Sequence, residues 1–96
     1  MIVRPTTSPS LFAFSRVDRG ELVEYLAVFN HSRTEFLSAT VPTSQPDGAK
    51  LLPLLDSRSP ASPASSPTLV VEPHGTVRVS LAPLQFVLWR AAAPLP

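Results

Sequence analysis

Seven carboxylates and two histidines are the side chains of this chain that could move protons. They are Asp18, Glu21, Glu24, Glu35, Asp47, Asp56, Glu72, His31 and His74. Two carboxyl groups about 5 Å apart would suit a retaining glycosidase, and roughly 6.5–9.5 Å an inverting one, in either case within a concave pocket. Nearly all of these acids fall in expected turns, where solvated charge is the ordinary condition. Both histidines also fall in expected turns, and no Gly-x-Ser-x-Gly elbow stands ready to place a serine beside one. Neither a His-x-His nor a His-x-x-x-His pair occurs, and no acid-rich metal loop. With no cysteine, thiolate chemistry, disulfides and zinc-finger spacing are excluded. No catalytic, cofactor-binding or metal-binding residue is therefore expected.

Asn30-His31-Ser32 matches the acceptor pattern for N-glycosylation. The same three residues are accounted for as a turn, in which Asn30 tolerates the left-handed backbone that bulky residues avoid.

Aromatic side chains offer different chemistry, because sugar-binding modules stack pyranose rings on exposed tryptophan and tyrosine. The chain has one tryptophan, Trp89, one tyrosine, Tyr25, and five phenylalanines. In an extended final segment Val87 and Trp89 share one face while Leu84, Phe86 and Leu88 share the other. In "EYLAVFNHS", Tyr25, Ala27 and Phe29 would point one way and Leu26 and Val28 the other. A strand apolar on both faces needs a core on one side and a cover on the other. Core or interface packing accounts for these rings better than a stacking platform, which wants exposed rings beside polar neighbours. Tyr25, Phe29, Val87 and Trp89 are the residues expected at a domain interface.

The elements that would carry these side chains are strands. Twelve prolines punctuate 96 residues, and each would remove an amide donor from a helix and clash with its preceding turn. No window between them sustains a 3.6-residue apolar period. Short β-branched and aromatic runs separated by turn chemistry appear instead. They are Leu11 to Arg16, Val23 to Asn30, Phe36 to Val41, Leu51 to Asp56, Thr68 to Glu72, Thr76 to Ala82 and Leu84 to Ala91. Pro53 makes the fourth an edge strand or an irregular packed segment. Pro46-Asp47-Gly48 is a turn signal, and Glu72-Pro73-His74-Gly75 suits a type I turn. Val77, Val79 and Leu81 alternate with Thr76, Arg78 and Ser80, the pattern of an antiparallel strand with one wet face.

Connections this short force antiparallel pairing. The expected fold is all-β, an antiparallel two-sheet β-sandwich of six to eight short strands with a Greek-key-like path. Residues 1–10 read as an extension or linker, 11–91 as the sandwich, 57–67 as a mobile Pro/Ser loop, and 92–96 as the start of a linker.

Bulk composition narrows the partners. Hydrophobic residues make up 44% and charged residues 16%, with a net charge of +1, which fits a folded domain. The basic residues are scattered, so nothing clusters to neutralise phosphates and no nucleic acid is expected. No apolar run approaches the roughly 18 residues of a membrane span. The opening "MIVRPTTSPS" is not expected to be a secretory signal, and the chain as a whole reads as a fragment.

The run "LFAFSRVDRGELVEYLAVFNHSRTEFLSATVPT" resembles the C-terminal β-sandwich, domain C, of the α-amylase family of glycoside hydrolases. "AFSR" (Ala13 to Arg16) stands where that domain has an aromatic first strand ending in arginine, and "VFNHS" (Val28 to Ser32) where it has apolar-Asn-x-Ser. "KLLPLLDS" and "TVRVSLAPLQFVLWRA" resemble its following segment and its final strand pair. The likeness spans roughly residues 11 to 91. It implies a non-catalytic accessory domain, packed on the (β/α)₈ barrel that holds the family's catalytic acids, and touching α-glucan weakly if at all. None of the barrel's motifs occurs here, so no catalytic residue carries over. The resemblance also favours a secreted parent enzyme. Two other readings compete: a stand-alone carbohydrate-binding module for α-glucans, and an unrelated interaction sandwich of fibronectin or immunoglobulin type.

Overall fold

The computed structural model of the chain describes residues 2–59 and 67–96. Eight strands form: β1 (Ile2–Arg4), β2 (Leu11–Val17), β3 (Glu24–Asn30), β4 (Leu37–Pro42), β5 (Lys50–Asp56), β6 (Leu69–Val70), β7 (Thr76–Leu81) and β8 (Phe86–Ala91). They make a six-stranded sheet in the order β1-β2-β3-β8-β5-β6 and a two-stranded sheet of β4 and β7. Every pairing is antiparallel. The all-β, two-sheet expectation therefore holds. The chain leaves the large sheet after β3 for β4, returns for β5 and β6, leaves again for β7, and comes back as β8 between β3 and β5. That path is Greek-key-like.

The core lies between the two sheets, and strand alternation selects who enters it. Leu11 and Ala13 of β2, Leu26 and Val28 of β3, Leu51 of β5, and Val87, Trp89 and Ala91 of β8 point inward from the large sheet. Ala39 and Val41 of β4 meet them with Val77, Val79 and Leu81 of β7. The alternation seen in "TVRVSL" is realised, with Thr76, Arg78 and Ser80 outside the core. The shortest molecular dimension is 22 Å, which suits two layers about 10 Å apart plus their outer side chains.

Several local expectations change. Ile2–Arg4, read from sequence as extension or linker, pairs with β2 through Ile2–Ser15, Val3–Phe14 and Arg4–Ala13. Near the other end, the Ala92 amide donates to Lys50 and the Leu95 amide to the Leu22 carbonyl. β5 is an inner strand at its start, where Lys50 and Leu51 pair with β6, and among the described residues lies against β8 alone from Leu52 onward. Pro53 sits at a bulge in that second half, where a missing amide does least harm. The turn at Glu72-Pro73-His74-Gly75 is closed by the Gly75 amide on the Glu72 carbonyl. His74 stands at φ 74° and ψ 12°, the third-position geometry of a type II turn rather than type I. Gly75, at φ 75°, adopts a backbone that side chains rarely take, and a Cβ there would lie a tight 3.2 Å from the Gln45 carbonyl oxygen. Asn30 is not left-handed. Among the described non-glycine residues the positive φ values fall on Leu22, His74 and Leu84. The mobile loop expected over 57–67 lies mostly outside the described residues. Its described ends are held, with the Ser57 amide on the Phe86 carbonyl and the Trp89 indole donating to the Pro67 carbonyl.

Candidate docking surface

The outer face of the six-stranded sheet is where the chain departs most from an ordinary solvated surface. Residues directly opposite one another on paired strands project to the same side. One row across the sheet is therefore Val3, Phe14, Ala27, Leu88 and Leu55, on β1, β2, β3, β8 and β5. A second row is Phe12, Phe29 and Phe86 on the three central strands. Val3 is 74% exposed, Leu55 52% and Phe12 47%, while Phe14, Ala27, Phe29, Phe86 and Leu88 are half-buried. Five strands at about 4.8 Å span about 19 Å, so the apolar band runs nearly the width of the sheet. No other element of the described chain lies over it. A third row, Arg16, Tyr25, Arg90 and Leu52, closes the band at one end with charge.

The four residues expected at a domain interface divide between the two faces. Tyr25 and Phe29 lie on the outer face. Val87 and Trp89 do not: each is 2% exposed and sits in the core. The register supplies the reason. Val87 pairs with Val28 and Trp89 with Leu26, both core residues, whereas Phe29 pairs with Phe86 and Ala27 with Leu88. The outer residues of β8 are thus Phe86, Leu88 and Arg90. Sequence alone shows that β8 has two apolar faces but not which one the core takes; only its alignment against β3 decides that.

The band's ends differ in chemistry. At the aromatic end, His31 stands edge-on to Phe12 and Phe29, with ring centroids 5.7 and 6.2 Å apart. At the charged end, the Arg90 Nε donates to the Tyr25 hydroxyl at 3.4 Å and its guanidinium lies 3.6 Å from Glu21. Asp18 accepts the amides of Gly20 and Glu21 at 2.8 and 3.1 Å. Those two hydrogen bonds, the Glu21 one first, hold its carboxyl below the ordinary 3.8 of aspartate. Between the two ends, over Ala27, the face dips into an open depression of about 460 Å³ bounded by Phe14, Arg16, Asp18, Tyr25 and Leu88.

Three further carboxylates make contacts within the fold. Glu24, within the expected Val23 to Asn30 strand, begins β3 fully buried and takes Arg4 at 3.2 Å, the Ser44 backbone amide at 3.0 Å and the Gln45 side-chain amide nitrogen at 2.8 Å. Arg4 in turn reaches Ser15. Asp56 ends β5, also buried, and accepts from Gln85 at 2.8 Å and from the Arg58 amide at 2.9 Å. Glu72 lies 3.3 Å from Arg78 on the surface. Among the described residues no group of three or more histidines and acids is placed to hold a metal ion. Period-two alternation was the available signal for Glu24, which shares its face with Leu26 and Val28.

Asn30 is also fully buried. Its Nδ2 donates to the carbonyls of Glu35, Leu81 and Ala82 at 2.9 to 3.1 Å, and its Oδ1 accepts the Ser32 amide at 2.8 Å. In the folded chain the would-be glycan acceptor is closed to modification. It works instead as a clamp between the β3–β4 and β7–β8 connections.

Comparison of the chain with protein-family models, curated proteins and solved structures returned no match.

Proposed function

We propose that this chain is a non-catalytic accessory β-sandwich that packs its outer sheet face on the catalytic barrel of an α-amylase-type glycoside hydrolase. The observation that carries the reading is the apolar band Val3–Phe14–Ala27–Leu88–Leu55 with Phe12, Phe29 and Phe86 beside it. Contiguous apolar surface of this kind marks an interaction site on an otherwise soluble fold. The resemblance of "AFSR", "VFNHS" and the final strand pair to domain C supplies the kind of partner. Docking would remove the band from water and shield apolar surface of the barrel in return, stabilising both.

The competing readings fit less of the structure. A stacking platform for α-glucans would want Trp89 exposed, and Trp89 is in the core. An immunoglobulin-type domain divides its strands four and three between two sheets. Six and two is a different division.

The test is to express the reading frame that contains this segment with and without residues 1–96. Loss of soluble, active glycosidase on deletion, restored when the segment is supplied as a fusion, is the expected result. An enzyme equally soluble and heat-resistant without the segment, or a reading frame with no barrel, would overturn the proposal.

A further inference from the structure

Glu24 is a carboxylate sealed from water, and its countercharge comes from a short strand at the edge of the large sheet. β1 is three residues long and pairs with β2 alone among the described residues. Ile2 and Val3 are exposed, so two of its three side chains bury little. Arg4 is the third. Its Nε donates to the Ser15 hydroxyl at 3.0 Å, and its Nη2 donates to Glu24 at 3.2 Å and to the Ser44 hydroxyl at 2.5 Å. We infer that β1 is a releasable strap, locked by Arg4 in an arginine-selective socket, and that its release bares an edge of β2 open to strand addition.

The socket's chemistry makes the lock specific. Glu24's other donors, the Ser44 amide and the Gln45 side chain, are neutral, so Arg4 supplies the one ion pair it makes among the described residues. A neutral side chain in place of Arg4 would leave a buried charge uncompensated, which is far costlier than losing an exposed pair. A lysine keeps the charge but gathers its donors on one atom. It cannot hold Ser15 at one position and Glu24 and Ser44 at another, as the guanidinium fork does. Release has a natural stopping point at Pro5. Beyond it the Thr6 hydroxyl donates to the Leu11 carbonyl at 2.9 Å, and the Thr7 hydroxyl accepts the Thr40 amide at 3.0 Å. The connection is thus tied to β2 and β4 by its own bonds, and β1 can leave without it. A departed strap uncovers backbone amides and carbonyls of β2 beside the socket. In strand addition such an edge gives affinity and a side-chain pocket gives specificity. The slot fits an extended segment that sets an arginine where Arg4 stands.

Native-state hydrogen exchange on the 96-residue chain reads the lock. In the wild type, the β2 amides that face β1 should exchange by local opening, with little dependence on urea, while amides of β3 and β8 wait for global unfolding. Arg4→Gln should speed those β2 amides roughly 100-fold or more, the size of a broken buried pair. Arg4→Lys should speed them about ten-fold, the size of one lost hydrogen bond, and decides the matter even where Arg4→Gln fails to fold. The peptide acetyl-Ile-Val-Arg-Pro-Thr-amide, added to the Arg4→Gln chain, should restore protection of the same amides. Its counterpart with lysine in place of arginine should need about ten-fold more. Four results would each overturn the inference: wild-type β2 amides that exchange only on global unfolding, variants that match the wild type, protection lost across β3 and β8 in step with β2, or a peptide that protects nothing. None of these readouts involves a barrel, so the docking proposal stands or falls separately.

Discussion

Asn30 is worth more to this fold than any charged residue on its surface. Its side chain bonds three carbonyls, those of Leu81 and Ala82 buried and that of Glu35 partly so, and one amide across two connections, and each buried group left unpaired costs about 1–3 kcal/mol. Asn30→Ala should therefore destabilise the chain by about 3 kcal/mol, read as a fall in urea midpoint with an unchanged slope. Asn30→Asp should be worse, because a buried carboxylate would face three carbonyls. Asp18 gives the pH dependence at this scale. Its folded pKa is lowered, so its contribution is present above the ordinary 3.8 and lost as pH falls through the depressed value. Asp18→Asn should flatten the acid limb of the stability curve between the depressed value and 3.8 and remove the same small contribution at neutral pH, which thermal melts across pH would show. The residue scale was partly legible. The motif at Asn30 was visible, but its meaning depended on Leu81 and Ala82, about fifty positions away, which no local pattern names. Glu24 falls within the expected Val23 to Asn30 strand, and its two-residue spacing from Leu26 puts it on the inner face, but its partners Arg4, Ser44 and Gln45, about twenty positions away, are named by no local pattern.

Strands were the most legible level, because proline and alternation act locally. Leu11–Val17, Glu24–Asn30 and Thr76–Leu81 appear almost where the residues place them. β1 was missed: three residues between a terminus and a proline carry no period. The orientation of β8 was likewise beyond the sequence, since both faces are apolar and only its register against β3 turns Trp89 inward. Pro53 shows what an apparent strand defect is for. From Leu52 onward β5 has no second partner among the described residues, and "LLPLLD" without its proline would be a bare apolar edge. Pro53→Val should leave the melting temperature close to that of the wild type while raising the rate of aggregation, followed by light scattering at equal concentration. An unchanged rate would mean that the edge is protected by other means.

At the scale of the molecule, the two-sheet architecture explains why one chain can be apolar on three surfaces and still be orderly. The small sheet covers only one side of the large one, so the core is satisfied and the outer face is left with eight apolar side chains across five strands. A face of about 19 Å by about 14 Å is smaller than the roughly 800 Å² per partner of a standard interface, so in the proposed docking the band would be the centre of a contact whose rim includes Arg16, Tyr25 and Arg90. Substitutions on the two faces of one strand should accordingly behave as if they belonged to different proteins. The most direct measurement pairs the isolated chain with the proposed barrel-bearing parent, each carrying Leu88→Lys, and compares their melting temperatures with the unsubstituted forms. The account predicts that the isolated chain melts within a few degrees of its parent sequence while the barrel loses heat resistance. A barrel that melts unchanged, with a lysine in the middle of its supposed contact, would contradict it.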